Sequence, residues 1–436
     1  MTTAAASAPR PERAAAPLAR ARRSRALDDV PSAAAWWLFL LYLVLEFDRP
    51  PLITAFKLQM GIALVLPLIW LGAHERPWSW VLTAQVLLLV TAGSMVPFAH
   101  NNYAAYFTTR MLFSNVTLAI AMAWLFAGRS AFRRFYWAWL LVMSWVALFG
   151  ITHGGRGPGG FLGDENDLAL ACVGAFPFAF YGVQLLPGWR RFVAGGCGVL
   201  LVLAVVASLS RGGFVGLVAA LVYCFAVSAH KVRNFLLALL AAGVFAVLVP
   251  QDYVEEMSTI QNTDKGTADT RKFLWATAWN VWKDHPVLGV GGSNFNYIAG
   301  RYTPKDDPRW QTPDYQERDW SGTTVHSTYF QFLSEMGTVG TALYAIMVVG
   351  HFRAVGSLRR RVRRRRDLPK ETRNEIEVYA GSLAGGMIGT LAAGAFLSAG
   401  YYPFAYFYTG AGVALVTWVS RALAAPPVGT EGGAGG

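Results

Sequence analysis

The chain has 436 residues, of which 54% are hydrophobic and only 15% are charged, with a mean hydropathy of +0.35. A soluble domain carries roughly a quarter charged residues, so this composition excludes an ordinary soluble protein. Apolar runs long enough to cross about 30 Å of hydrocarbon recur along the sequence, which predicts an all-α polytopic membrane protein. The net charge of +12 comes largely from arginines between apolar runs, a pattern typical of membrane orientation and not of nucleic-acid binding.

The two ends of the chain are polar. Residues 1–32 are rich in Ala, Pro and Arg and contain no apolar core of a signal peptide. They are predicted to form a disordered basic tail in the cytoplasm, and residues 424–436 a second disordered tail.

The apolar segments predict about twelve transmembrane helices, nine within residues 33–250 and three within residues 326–423. Cys172, Cys197 and Cys224 lie inside these segments and are interpreted as core residues. The predicted spans are 33–48, 54–73, 78–97, 104–127, 132–151, 167–186, 191–209, 213–229, 233–250, 326–350, 378–399 and 401–423.

The basic residues orient these spans. With a cytoplasmic N-terminus, most of the 38 Lys and Arg fall on the cytoplasmic side, as the positive-inside rule requires. The run RRRVRRRR at 359–366 then lies in a cytoplasmic loop, 351–377, where it is predicted to face anionic headgroups. The opposite orientation would put that run outside. We therefore expect both ends of the chain in the cytoplasm.

The long polar segment at 251–325 is predicted to be a large periplasmic loop. Within it, a helix is predicted to begin near Asp269 and Thr270, which can cap it, and to end before Pro286. Three tryptophans of this helix share one face: Trp275, Trp279 and Trp282. Two interpretations remain open: an amphipathic helix at the membrane surface, or a subdomain that packs its tryptophans into its own core.

Several charged residues on the predicted outer side are candidates for a site. Arg211, in SLSRGG, lies in a short turn between two spans, where a cation is costly unless it has a partner or faces a cavity. Arg271 opens the loop helix, and Arg156 is a further outer arginine. An acidic run precedes the sixth span and consists of Asp164, Glu165, Asn166 and Asp167. These residues either cap that helix, pair with Arg211 or orient a sugar.

His326 lies where the polar loop becomes an apolar helix. A histidine beside arginines suits the displacement of a lipid-linked diphosphate, because the reaction needs a base near neutral pKa and cations on the leaving group. The sequence contains no motif for a metal, a nucleotide or a nicotinamide cofactor, so no cofactor and no metal site are predicted. A structural role for His326 remains the alternative.

The segment after the loop carries a spaced motif. His326 and Ser327 are followed by nine residues and then by Gly337-Thr338-Val339-Gly340. With GDEND before the sixth span, SRGG at 210–213 and TRKFLW in the loop, this pattern resembles the O-antigen ligase-like superfamily of bacterial membrane glycosyltransferases. That superfamily includes O-antigen ligases, Wzy-type polymerases and protein O-oligosaccharyltransferases. One departure is Leu274, which follows Arg271 after two residues instead of three.

The resemblance implies a fold of the GT-C type and a metal-independent, inverting transfer in the inner membrane. A glycan would leave undecaprenyl diphosphate for an acceptor hydroxyl on lipid A-core, on a polysaccharide or on a protein, with lipid A-core preferred. His326 would be the base, and Arg211 and Arg271 would hold the diphosphate. Asn166 and its neighbours would line the site, and the spans would form a groove for the polyprenyl chain. Gly337 and Gly340 are expected to let helices pack closely beneath His326.

Two other functions remain open from the sequence. A transporter of lipid-linked sugars would have charges near mid-membrane and broken spans in matched halves, of which the sequence shows little. A structural protein of the envelope would tolerate the loss of both His326 and Arg211.

Overall fold

The computed structural model describes residues 33–48, 58–71, 76–228, 231–232, 266–365 and 368–424. The predicted ninth span at 233–250, the start of the long loop and the two tails, apart from Ala424, lie outside these residues. Within the described ranges the regular structure is helical, and no strand is present.

Twelve helices of more than ten residues occur in the described part of the chain. They are α1 (Ala33–Phe47), α2 (Leu58–Leu71), α3 (Trp80–Met95), α4 (Asn102–Leu125), α5 (Arg129–Thr152), α6 (Glu165–Leu185), α7 (Arg190–Ala207), α8 (Arg211–Val227), α9 (Gly266–Asp284), α10 (Thr328–Arg364), α11 (Lys370–Gly394) and α12 (Pro403–Ala424).

Eleven of these helices coincide with predicted spans, and α9 is the predicted loop helix. Six are long and apolar enough to cross a membrane: those that begin at Trp80, Arg129, Glu165, Arg190, Thr328 and Lys370. These features confirm an all-α, multi-pass membrane protein. The number of twelve spans and the GT-C type stay predictions. The three cysteines are buried and free, as predicted.

Close packing of α6, α8 and α11 fixes the centre of the bundle. A Cβ at Gly386 of α11 would lie 2.6 Å from the carbonyl oxygen of Gly174 in α6, and a Cβ at Gly216 of α8 would lie 2.8 Å from Ala393. Small residues let helix backbones approach this closely in a membrane protein, where apolar side chains alone give little preference between neighbours. The first turns of α6 and α8 are thereby held beside the last turn of α11. We call this end of the bundle the outer end, after the predicted orientation.

Residues 359–364 of the arginine-rich run are helical, which corrects the loop predicted at 351–377 for that part of the segment. Helix α10 continues to Arg364 and α11 begins at Lys370. Arg359, whose side chain is only 8% exposed, and Arg363 both pair with Glu377 of α11 at 2.8 Å. Arginine is a good helix former, and i, i+4 spacing lets both guanidinium groups reach one carboxylate. Arg359 therefore joins the two helices from a buried position, whereas Arg363, whose side chain is 53% exposed, pairs with the same carboxylate at the surface.

The segment between α9 and α10 has its own apolar core. Phe273, Leu274, Ala278 and Val281 of α9 are buried in it, and the chain that follows adds Val290, Phe295, Ile298, Trp320 and Val325. This core supports the subdomain interpretation, and of the three tryptophans Trp275 packs against it from its edge. Asp269 does not cap α9, which begins at Gly266. Its carboxylate instead accepts a hydrogen bond from the Tyr315 hydroxyl (2.7 Å).

A break in α10 clamps this subdomain to the bundle. Gly337 has φ 61° and ψ −164°, a conformation essentially restricted to glycine. The break frees two amides, so that Thr338 N–H donates to the Pro286 carbonyl (2.8 Å) and Val339 N–H to the Val287 carbonyl (3.1 Å). The expectation that Gly337 serves helix packing is therefore wrong. Gly340 does lie near another helix, since a Cβ there would be 3.6 Å from Leu88 of α3.

Glu335 completes the clamp from inside. Its carboxylate is buried and accepts hydrogen bonds from the Ser293 amide (2.9 Å) and from the Tyr401 hydroxyl (2.7 Å). One side chain of α10 thus connects the subdomain with the turn between α11 and α12. A buried carboxylate is tolerated only with such partners.

Replacement of Gly337 by alanine is expected to lower the stability of the protein by at least about 2 kcal/mol. The added Cβ would enter a backbone conformation that side chains avoid and would overlap the Val287 carbonyl oxygen. Gly300→Ala is the control, because a Cβ at Gly300 meets no described atom within 4 Å. Thermal unfolding in detergent, followed by intrinsic fluorescence, compares the two variants. Equal unfolding midpoints would contradict this role of Gly337.

Candidate functional site

Three helices begin together at the outer end. The Ser210 hydroxyl, which caps α8, donates to the Asn166 side-chain oxygen in the first turn of α6 (2.7 Å). The Thr328 hydroxyl, in the first turn of α10, donates to the Leu397 carbonyl just after α11 (2.9 Å). A helix N-terminus presents unpaired N–H groups and a partial positive charge. The ends of α6, α8 and α10 therefore favour an anion at this place.

His326 lies two residues before α10 in a strained conformation. Its φ of 53° is in the left-handed region, which non-glycine residues rarely adopt. Two contacts hold it: its amide donates to the Ser398 hydroxyl (2.9 Å), and its ring Nε2 is 3.2 Å from the Thr324 hydroxyl. Strain of this kind persists where the surrounding structure fixes the residue, and it is typical of functional sites.

Burial and the nearby charge of Arg271 favour the neutral form of the His326 imidazole. Burial lowers the pKa of His326 from its ordinary value of 6.5, the positive charge of Arg271 lowers it further, and the negative charge of Asp164 opposes them. A histidine with a pKa below 6.5 is unprotonated at neutral pH. It can therefore accept a proton, as a general base must.

Arg271 and Arg211 are close enough to repel each other. Burial lowers the pKa of Arg271, the charge of Arg211 lowers it further, and Asp164 opposes both. A guanidinium has so high a reference pKa that it stays charged at neutral pH despite such a shift. Two like charges, one partly buried, at the N-termini of three helices form a place of high positive potential. Phosphate oxygens carry the opposite charge, and they accept hydrogen bonds in the geometry in which a guanidinium group donates them.

Sequence and packing explain how Arg211 reaches this place. Leu209, two residues earlier, turns the chain with a φ of 52°. Gly213 faces the Ala169 side chain of α6 too closely for a Cβ, and a Cβ at Gly212 would lie 3.1 Å from Phe396. The glycines of SRGG therefore serve helix packing, which draws the first turn of α8 between α6 and α11.

The acidic run divides into parts with different surroundings. The Asp164 carboxylate caps α6 by accepting from the backbone amide (2.8 Å) and the side-chain amide (2.9 Å) of Asn166, and it also acts on His326 and Arg271. Glu165 pairs with Arg156 at 2.7 Å, and the Arg156 side chain is 65% exposed. Asp167 accepts a hydrogen bond from the Tyr402 side chain. Asp164 and Asn166 thus belong to the cluster around His326, and the Arg156–Glu165 pair lies at its exposed rim.

Sequence reasoning missed the residues that hold His326 in place. Thr324 and Ser398 contact it, but Ser398 comes 72 residues later in a turn, SAGYYP, that carries no catalytic motif. A Thr-x-His spacing next to a helix start was the only local signal. Among the described residues, no three His, Cys, Asp or Glu side chains form a group that could hold a metal ion. The absence of a metal requirement remains a prediction.

The comparisons with known proteins bear on this cluster directly. A family described as O-antigen ligase matches residues 196–345, a range that contains Arg211, Arg271 and His326 together with the spaced glycine motif. No curated protein matches the chain significantly. Residues 196–345, about a third of the 436 residues, are thus similar to the O-antigen ligase family.

Proposed function

We propose that the protein is an inverting glycosyltransferase that moves a glycan from undecaprenyl diphosphate to an acceptor hydroxyl. One observation carries this proposal: His326 lies beside Arg271, and Arg271 beside Arg211, at the joint N-termini of α6, α8 and α10. The family match supports a function of the O-antigen ligase or polymerase type. The donor, the acceptor and the stereochemistry are parts of the proposal.

The arginines and the helix ends suit the diphosphate. When the bond between the anomeric carbon and the phosphate oxygen breaks, the bonding electrons leave with the diphosphate. Arg211 and Arg271 neutralise this growing charge without a metal ion, and they stabilise the transition state more than the ground state. Membrane-embedded helices beneath them supply an apolar surface for the polyprenyl chain.

His326 supplies the other half of the reaction. Its imidazole accepts the proton of the acceptor hydroxyl while the hydroxyl oxygen attacks the anomeric carbon from the face opposite the diphosphate. Attack from that face inverts the configuration of the sugar. Ser398 holds the backbone of His326 and Thr324 contacts its ring Nε2, while burial and the nearby Arg271 favour the unprotonated ring.

For the acceptor we propose lipid A-core, which makes the protein an O-antigen ligase of the bacterial inner membrane. Positive-inside sorting supports cytoplasmic chain ends and a periplasmic site, because it leaves the starts of α6, α8 and α10 outside. A growing polysaccharide or a protein hydroxyl would present the same group to His326. Mass spectrometry of the product distinguishes these acceptors.

Replacement of His326 by asparagine is expected to lower turnover by about 10²- to 10⁴-fold, the usual contribution of a general base. Asparagine tolerates the left-handed conformation at this position, so the fold is expected to persist. His285→Asn is the matched control, since His285 is exposed in the same segment and contacts Tyr302 instead of the site. Transfer from lipid-linked glycan is measured with the purified protein in the presence of a chelator.

Full activity of His326→Asn would remove His326 from the mechanism. Loss of activity in the chelator with the unmodified protein would contradict a metal-independent reaction. Equal loss in both histidine variants would indicate damage to the subdomain instead of loss of a base.

The pH dependence of the reaction gives a second test. Activity is expected to fall on acidification as His326 takes up a proton, with a midpoint below 6.5 in the free enzyme. Arg271→Gln removes a charge that lowers the pKa of His326, so this acid limb should move to higher pH. Asp164→Asn removes a charge that raises it, so the limb should move to lower pH.

The shape of the profile of kcat/KM against pH is the measurement, because it is independent of how much absolute activity each variant retains. Identical acid limbs in all three proteins, or shifts of the opposite sign, would contradict the assignment of the base to His326.

A further inference from the structure

A groove of about 420 Å³ opens beside the site, between α9, the start of α10 and the loop at 304–307. Its walls include Trp275, Trp279, Asn280, Asp306 and Phe330. We propose that this groove binds a pyranose unit of a glycan chain. The inference rests on the proposed function, and it adds a subsite that neither the motif nor the family match assigns.

The position of the groove places it next to the reacting centre. Trp275 follows Arg271 by four residues and therefore lies one turn further along the same face of α9, about 6 Å away along the helix axis. Phe330 follows His326 by four residues at the start of α10. The groove is therefore within reach of the next units of a glycan whose reacting end lies between Arg271 and His326.

The aromatic walls are rigid and suit the face of a sugar ring. Trp275 stacks on Phe330 with ring centroids 5.6 Å apart and planes at 12°, and Trp279 packs against Trp282 at 4.6 Å. The Trp279 side chain is nevertheless 46% exposed, which is unusual for a large aromatic residue in an extramembrane segment. A pyranose presents a face of C–H groups, which carry a small positive charge and pack on the electron-rich face of an indole.

The polar groups of the groove suit sugar hydroxyls. Within the described part of the chain, the buried Trp275 Nε1–H has no hydrogen-bond acceptor. That nitrogen is fully buried, so it lies behind the wall of the groove and does not itself contact a ligand. The Asn280 side-chain oxygen and the exposed Asp306 carboxylate are acceptors for hydroxyl groups at the same groove. Apolar walls with a few oriented polar groups are typical of small-ligand sites.

The charge of the groove indicates which sugars it accepts. Asp307 is neutralised by Arg309 at 2.6 Å, whereas Asp306 is exposed at the rim. A carboxylate there repels uronic acids and other anionic sugars and favours neutral or amino sugars. The negative charge of the groove is thus opposite to the positive charge of the neighbouring arginine pair. The groove would recognise the glycan, and the arginines would recognise the diphosphate.

The glycan in the groove belongs either to the donor or to the acceptor, and the same chemistry recognises both. Two probes distinguish them. The first is the oligosaccharide pool released by mild acid from the polyprenyl diphosphate lipids of the producing bacterium. The second is the core oligosaccharide released from its lipopolysaccharide. Binding of each probe to the full-length protein in nanodiscs is measured by saturation-transfer NMR and titration calorimetry.

We expect one probe to bind the unmodified protein and Trp279→Ala to weaken that binding about tenfold, as loss of one aromatic stacking contact predicts. Trp279→Tyr should recover most of the affinity. Trp189→Ala is the matched control, because Trp189 is 70% exposed but lies between α6 and α7, outside the groove. Since Trp279 is exposed, its replacement should leave the thermal unfolding midpoint unchanged.

Binding of neither probe, or equal affinity of Trp279→Ala and the unmodified protein, would overturn the proposal. The probes contain no diphosphate and require no reaction, so the outcome is independent of the catalytic assignment. A protein that transfers glycan but binds neither probe refutes the groove alone. A protein that binds a probe through Trp279 but transfers nothing refutes the proposed function alone.

Discussion

The repulsion between Arg211 and Arg271 is the constraint around which the outer end is organised. Two guanidinium groups, one of them partly buried, act on each other where three helices also point their positive ends. An anion that enters this place is attracted by both guanidinium groups and by the three helix ends. Asp164 opposes part of this positive charge, since its carboxylate acts on both Arg271 and His326.

The rest of the fold maintains this arrangement. Close packing of α6, α8 and α11 aligns the starts of two helices, and the turn after α11 anchors the third through Thr328 and His326. The break at Gly337 and the buried Glu335 then attach the subdomain that carries Arg271. A loop attached through backbone hydrogen bonds and a buried carboxylate keeps Arg271 in register with Arg211, which comes from a different part of the sequence.

Much of this structure is predictable from the sequence, and the remainder depends on distant contacts. The apolar runs predicted the positions of the helices closely, because a helix is one of the few structures that pairs all of its backbone N–H and C=O groups inside a membrane. The spaced motif identified His326, and misplaced cations identified Arg211. The left-handed conformation of His326 was not predictable, since it depends on Ser398. Gly337 was expected to serve helix packing. The break in the helix at this residue was not predictable, because the carbonyls that accept the freed amides, those of Pro286 and Val287, come from a separate loop. The roles of Arg359 and Glu335 likewise depend on residues far along the chain.

The central claim is that Arg211 and Arg271 together bind the diphosphate of the donor. The most direct test is a cryo-electron microscopy structure of the protein in nanodiscs with undecaprenyl diphosphate. The account predicts that phosphate oxygens lie within hydrogen-bond distance of both guanidinium groups, at the starts of α6, α8 and α10, and that this density is absent in the Arg211→Gln, Arg271→Gln double variant. Diphosphate bound elsewhere, for example beside Arg359, or retained at the site in the double variant, would contradict the account.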